Sequence, residues 1–203
     1  MQENLQIIRI IKKSFRGKSI LIEDFNSDRI IDRIKLPNDN GEIVLPIGHY
    51  ALINGKSDKK YKFPTIVIYG LGSCIALILF DEKNKLCGMS HVLLPKSNLR
   101  KIINYPHKYA DLSVQYLLKE FLDRGAQKEL IKAIIVGGSK IFDLANNVIG
   151  EENIKIIIDE LDKYGIKIIK KSIGGMQGRI IKFNTRNFSV LVKLTGDNKF
   201  HEL

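Results

Sequence analysis

Tryptophan is absent from the 203 residues, and cysteine occurs only twice, as Cys74 and Cys87. Two cysteines cannot build the disulfide framework of a small secreted domain, and no Cys-x-x-Cys pair suggests a redox or zinc motif. The four histidines, His49, His91, His107 and His201, are scattered, whereas a zinc site needs tighter clustering of ligands. Long hydrophobic runs are missing as well. Apolar stretches are interrupted by Lys, Arg or Asp well short of the ~20 residues that span a bilayer. Met1–Gln2–Glu3–Asn4 opens with an acid and carries no signal-peptide pattern. These absences predict a cytoplasmic chain with no membrane insertion. No long basic run occurs either. The 33 Lys and Arg against 22 Asp and Glu give a formal charge of +11, yet the spread of the charge predicts no nucleic-acid partner. The excess suits an acidic protein surface or simply general solubility.

What is present is an ordinary globular composition, 44% hydrophobic and 27% charged. The length fits one domain with an appendage and can bury a sizeable core. Residues 1–43 are charged with apolar patches and show no clean helix or strand period, so they read as an N-terminal extension. The turn formers between Lys35 and Gly41 mark its end. The main domain is expected over 44–195, with a polar tail at 196–203 that frays. Within the domain, Ile66–Ile68, Ile75–Phe80, Leu86–Leu94, Ala133–Val136, Ile166–Lys171, Arg179–Phe183 and Phe188–Leu194 have strand length and composition. Ala110–Arg124 and Glu151–Tyr164 have helical periodicity, the first with Ala110, Val114, Leu117, Leu118, Phe121 and Leu122 on one face, each stopped by a glycine. Strands that come mainly as hairpins, mixed with two amphipathic helices, predict an α+β layered sandwich with mixed sheets and not a doubly wound parallel sheet.

Gly70–Leu71–Gly72–Ser73–Cys74 is the first segment that can carry chemistry. A cysteine nucleophile needs an accessible sulfur, amide donors for an oxyanion and a nearby base, and glycines before it let the backbone bend so that amides point into a site. The plain alternative is a tight turn followed by a buried cysteine behaving as a small hydrophobe. Gly88–Met89–Ser90–His91 is the second. A hairpin closed by a turn at Asp81–Asn84 sets Cys74 directly opposite His91, with Cβ atoms about 5 Å apart, close enough for an imidazole to take the thiol proton. The same register puts Cys87 opposite Ile78. Cys87 is then too far along the strand to bridge Cys74 and is expected to be structural.

The remaining glycine clusters do not make a nucleotide site. Gly70–x–Gly72 lacks the third glycine of a dinucleotide fingerprint, and Gly137–Gly138–Ser139–Lys140 lacks Walker spacing. Gly174–Gly175–Met176–Gln177–Gly178–Arg179 reads as a flexible inter-strand loop or as a place where a substrate backbone approaches closely. In the second case Arg179 would hold a carboxylate or stabilise the loop.

The ordered set of these motifs resembles the chemoreceptor glutamine deamidase family, CheD. The segments Gly70–Cys74, Gly88–His91 with Val92-Leu-Leu-Pro95, Lys108–Asp111, Gly137–Ser139, Ile149–Asn153 and Gly174–Arg179 follow in the family's order, across about Ile47 to Lys193. The resemblance implies a hydrolase, a protein-glutamine glutaminase acting on methyl-accepting chemotaxis receptors, with no cofactor or metal required. It maps the nucleophile onto Cys74 and the general base onto His91, and leaves Gly72 and Ser73 in the turn that would cradle the oxyanion. Some members also hydrolyse glutamyl methyl esters, and a CheC-type phosphatase is implied as a second partner beside the receptor's cytoplasmic domain. One position departs from the pattern. The family usually completes the triad with a Thr six residues before the nucleophile, and here that position is Ile68. The departure leaves open a substitute orienter, with Ser73 as one candidate, lower activity, or a protein kept as a binding module for receptor or phosphatase.

Overall fold

The structure, a computed structural model, describes residues 9–15, 18–24, 40–54, 64–97, 105–141 and 148–203. The described strands are β1 (Arg9–Phe15), β2 (Lys18–Asp24), β3 (Glu42–Val44), β4 (Tyr50–Asn54), β5 (Thr65–Leu71), β6 (Ile75–Asp81), β7 (Leu86–Val92), β8 (Lys132–Gly137), β9 (Lys167–Ile173), β10 (Arg179–Asn184), β11 (Val190–Leu194) and β12 (His201–Glu202). The helices are α1 (Ala110–Asp123) and α2 (Ile149–Lys163). They build a seven-stranded sheet in the order β1-β2-β4-β7-β6-β8-β9 and a five-stranded sheet in the order β12-β11-β10-β5-β3. Both sheets are mixed, because β8 pairs with β9 and β3 with β5 in parallel. The layered α+β sandwich expected from the sequence is the architecture observed.

The central hairpin explains its own sequence. Every residue of β6 and β7 is buried. Ala76, Ile78 and Phe80 face the five-stranded sheet, while Ile75, Leu77 and Leu79 face the helices. A strand covered on both faces reads as a continuous apolar run, which is what Ile75–Phe80 is. Helix α1 closes the outer layer through Ala110, Ser113, Val114, Leu117, Leu118 and Phe121. Leu122, expected on that face, is 43% exposed. Gly125 follows with a φ of 79° and its amide bonds the Leu122 carbonyl, a left-handed stop that a side chain disfavours.

Three expectations need correcting. The hairpin turn spans Glu82–Lys85 and closes on the pair Asp81↔Leu86, so Ala76, not Cys74, lies opposite His91, and Cys87 faces Phe80. The buried Asp81 carboxylate accepts from the Asn84 amide at 3.0 Å and from Asn84 Nδ2 at 2.7 Å, and Lys85 takes a φ of 50°. Those contacts stabilise a four-residue loop that the composition of the turn did not reveal. The slip is two residues, so it preserves which face each side chain occupies. Second, the polar tail does not fray: His201 and Glu202 pair with Val192 and Leu191, and the Leu203 amide bonds the Val190 carbonyl at 2.9 Å. Third, the segment without a clear period contains strands β1 and β2, and β2 pairs with β4 of the large sheet. The expected loop from Lys35 lies, up to residue 39, outside the described residues.

Candidate active site

The β6–β7 ladder ends at Ile75↔Val92. Beyond it the two strands part, and the turn 72–74 is held from outside the hairpin. The Gly72 carbonyl accepts from the Ser139 amide at 2.8 Å and the Cys74 carbonyl from the Gly138 amide at 2.9 Å. The Ser73 carbonyl accepts from Asn153 Nδ2 at 2.9 Å. With three successive carbonyls engaged, the orientation of the peptide units is set. Among the described residues, the amides of Gly72, Ser73 and Cys74 donate to no backbone carbonyl. The Cys74 amide, close to its own sulfur, favours the thiolate. Backbone amides without carbonyl partners are the kind of donor an oxyanion hole requires. Glycine is required beneath the turn: Gly137 has a φ of 118°, and a Cβ there would sit 2.2 Å from the Cys74 carbonyl oxygen.

Cys74 is a free cysteine, 8% exposed, in the layer between the sheets. His91 lies on the same side of the sheet, because the diagonal offset from Cys74 keeps strand parity. Diagonal neighbours of this kind stand about 7–8 Å apart, within reach of a long side chain. The segment that crosses from β3 to β4 fixes the imidazole. Its Gly48 amide donates to the His91 carbonyl at 2.8 Å, and the His91 amide donates to the His49 carbonyl at 2.9 Å. His91 Nδ1 lies 3.1 Å from the Leu45 carbonyl, and Leu45 is itself anchored through its amide to Val67. A carbonyl can only accept, so Nδ1 carries the proton and Nε2 the lone pair. That Nε2 is buried and has no hydrogen-bond partner among the described residues.

Burial raises the Cys74 thiol to about 11, offset in part by its own amide. Burial lowers His91 to about 4, against the pull of the Leu45 carbonyl, and nearby His49 lowers it further. The resting pair is therefore neutral thiol and neutral imidazole, suited to proton transfer during attack more than to a preformed ion pair. Cys87 is fully buried at the other end of the hairpin, its Sγ 3.9 Å from the Thr185 carbonyl, and burial pushes its thiol up.

Ile68, at the position of the family threonine, is 1% exposed and packs in the same inter-sheet layer as Cys74. The acceptor that meets His91 Nδ1 is the Leu45 carbonyl, not a side chain at Ile68 or Ser73. A backbone carbonyl has no sequence signature, so pattern reading could not find it. Arg179 is 7% exposed, and each of its three side-chain nitrogens is engaged. Its Nε donates to Ser172 Oγ at 3.2 Å, its Nη1 to Ser139 Oγ and the Gln177 carbonyl, and its Nη2 to the Gly174 carbonyl at 2.8 Å. It braces the loop containing Gly174 and Gly175, and that loop holds the Gly137–Lys140 segment through the Gly174 and Lys140 amides. Of the two roles considered for Arg179, loop stabilisation is the one its contacts serve.

A thiol and a single-tautomer imidazole on one face of a layered α+β sandwich are the groups that a cysteine hydrolase uses. The chain belongs to the CheD family. Residues 93–194 match the family model described as CheD chemotactic sensory transduction. A probable chemoreceptor glutamine deamidase CheD of Oceanobacillus iheyensis is 38% identical over 141 residues, 66% of this chain and 85% of the relative. One from Clostridium botulinum Eklund 17B is 36% identical over 162 residues, 78% of this chain and 96% of the relative. The chemoreceptor glutamine deamidase CheD of Thermotoga maritima is 32% identical over 160 residues, 79% and 96% of the two chains. The family-model match begins just after His91, so the assignment of Cys74 and His91 rests on their motifs and on the geometry above. Among the described residues no helix is long and apolar enough to cross a membrane.

Proposed function

We propose that this chain is a cytoplasmic protein-glutamine deamidase acting on methyl-accepting chemotaxis receptors, with residues 44–195 as its catalytic domain. The observation that carries the reading is the buried Nε2 lone pair of His91, oriented through Leu45 on the same sheet face as the Cys74 thiol. His91 takes the proton of Cys74 as sulfur attacks the carboxamide carbon of a receptor glutamine. The tetrahedral oxyanion is met by amides of the turn 72–74. The imidazolium gives its proton to the departing nitrogen, ammonia leaves and a thioester remains. His91 then removes a proton from water, hydroxide adds to the thioester, and glutamate and the thiol are released. The same steps with a methoxy leaving group hydrolyse a glutamyl methyl ester. The positive charge of the chain favours an acidic partner surface, on the receptor or on a CheC-type phosphatase, as a steering effect.

Ammonia release and intact mass of a receptor cytoplasmic fragment test the reading, wild type against Cys74→Ala. The expected result is a gain of about one dalton per site, as amide becomes acid, abolished in Cys74→Ala. A folded wild type that binds the fragment without releasing ammonia overturns the catalytic reading. That outcome would favour the binding-module role raised by Ile68.

A further inference from the structure

We propose that Asn153, on α2, is a positioning residue that holds the Cys74 turn in register with His91; the inference rests on the reading of those two as nucleophile and base. The ladder stops at Ile75↔Val92. Cys74 and Leu93 would be the next pair, but Leu93 turns away and its amide donates to the Lys108 carbonyl at 2.9 Å. The hairpin thus opens at the nucleophile, with no ladder bond to set the spacing of its two ends.

The Asn153 side chain spans that opening. Nδ2 donates to the Ser73 carbonyl at 2.9 Å and to the Leu93 carbonyl at 3.1 Å. One group ties the residue before the nucleophile to a residue just past the base. A carboxamide NH₂ carries two hydrogens and can serve two carbonyls at once; a hydroxyl has one and a carboxylate none. The flipped amide would oppose oxygen to oxygen twice, so the hydrogen bonds assign its orientation. Close packing brings the helix within reach. A Cβ on Gly150 would lie 2.6 Å from the Gly138 carbonyl oxygen, so the first turn of α2 presses against the Gly138–Ser139 segment that holds Cys74. Asn153 is wholly buried, and its Oδ1 has no hydrogen-bond partner among the described residues. An unmet buried acceptor works against stability. Its presence, with both donors engaged on either side of the site, marks a residue that serves geometry.

The test compares wild type, Asn153→Ala, His91→Ala and the double variant by receptor-fragment deamidation and by alkylation of Cys74 with iodoacetamide, localised by peptide mass. Asn153→Ala is expected to lower kcat about 100-fold with KM within about threefold, the effect of a displacement near 1 Å at the reacting groups. Cys74 alkylation should slow at least about tenfold, while the melting temperature falls by only about 2–4 °C for each kcal/mol-scale hydrogen bond lost. In the His91→Ala background the same substitution should cost less than about threefold, because no base remains to be positioned. Asn153→Ser, which keeps one donor, should fall between, and it carries the comparison if Asn153→Ala does not fold. Wild-type rates in a folded Asn153 variant, losses that multiply in the double variant, or alkylation indifferent to His91 and Asn153 would each overturn the proposal. Alkylation needs no receptor. If wild type does not deamidate the fragment but Cys74 reactivity depends jointly on His91 and Asn153, the substrate reading fails and the clamp stands.

Discussion

The two cysteines lie towards opposite ends of one hairpin, and the ends are built differently. At the turn end the ladder is complete, Cys87 faces Phe80 on one side and Ile53 on the other, and Asp81 caps the loop with its own carboxylate. There the thiol is a small apolar side chain packed on all sides. At the open end the ladder has stopped, the backbone is held by the Gly138–Ser139 segment after β8, by α2 and by the crossing segment, and amides are left without backbone acceptors among the described residues. Reactivity depends on what surrounds the sulfur, and a thiol inside an intact ladder has neither a base nor donors available to it. The open end forgoes regular hydrogen bonding and, on the proposed reading, gains a site.

The comparison can be broken most directly at His91. His91→Ala, with Leu45 and the turn intact, is expected to reduce kcat for deamidation by about 10²–10⁴-fold, the usual contribution of a positioned general base. In wild type the acid limb of kcat/KM should fall near pH 4, where His91 gains a proton, and not near 6.5. A limb centred at 6.5 would mean that the imidazole is solvated in the working enzyme.

Acid stability gives the next effect in size. His91 is lowered to about 4 and His107 to about 3, both chiefly by burial. Above pH 6.5 both are neutral folded and unfolded. Between 6.5 and about 4 the unfolded chain binds protons that the folded chain does not, so stability rises with pH by about 1.4 kcal/mol per unit for each histidine and is lost on acidification. Urea unfolding at pH 7 and pH 5 should therefore differ by several kcal/mol. His107→Gln should reduce that difference by about 2 kcal/mol; an unchanged difference would remove His107 from the account.

The smallest effect belongs to the turn end. Cys87→Ala is expected to leave kcat within about twofold and to cost about 1–2 kcal/mol in stability, the scale of deleting one buried heavy atom. A large loss of activity with the fold retained would erase the distinction between the two ends.

Much of this molecule is legible in its pattern. The run Ile75–Phe80, the periodic faces of α1 and α2 and their glycine stops point to the elements observed, because burial on both faces of a strand or one face of a helix leaves a periodic trace. Cys74 and His91 could be picked out by their glycine-containing neighbourhoods. Their relative placement was read with a two-residue error, and the even slip left them on one face. The short β3 and β4 were missed because few residues carry their period. The contacts of Leu45 and Asn153 were out of reach. One is made by a carbonyl common to all residues, and the other joins residues far apart along the chain.

By itself the sequence determined the layered α+β class, the two helices, the central apolar hairpin and the identity of the thiol and imidazole that face the inter-sheet layer. These follow from hydrophobic periodicity and residue chemistry, which are local properties. Only the tertiary structure decided the hairpin register, the burial of Cys74 and His91, the contacts of Arg179 with its own loop, and the Leu45 carbonyl that meets His91 Nδ1. Those depend on which distant carbonyls and amides meet once the sheets close on each other, and on the loss of water there. Burial and long-range hydrogen bonding are properties of the assembled chain, with no local pattern to announce them.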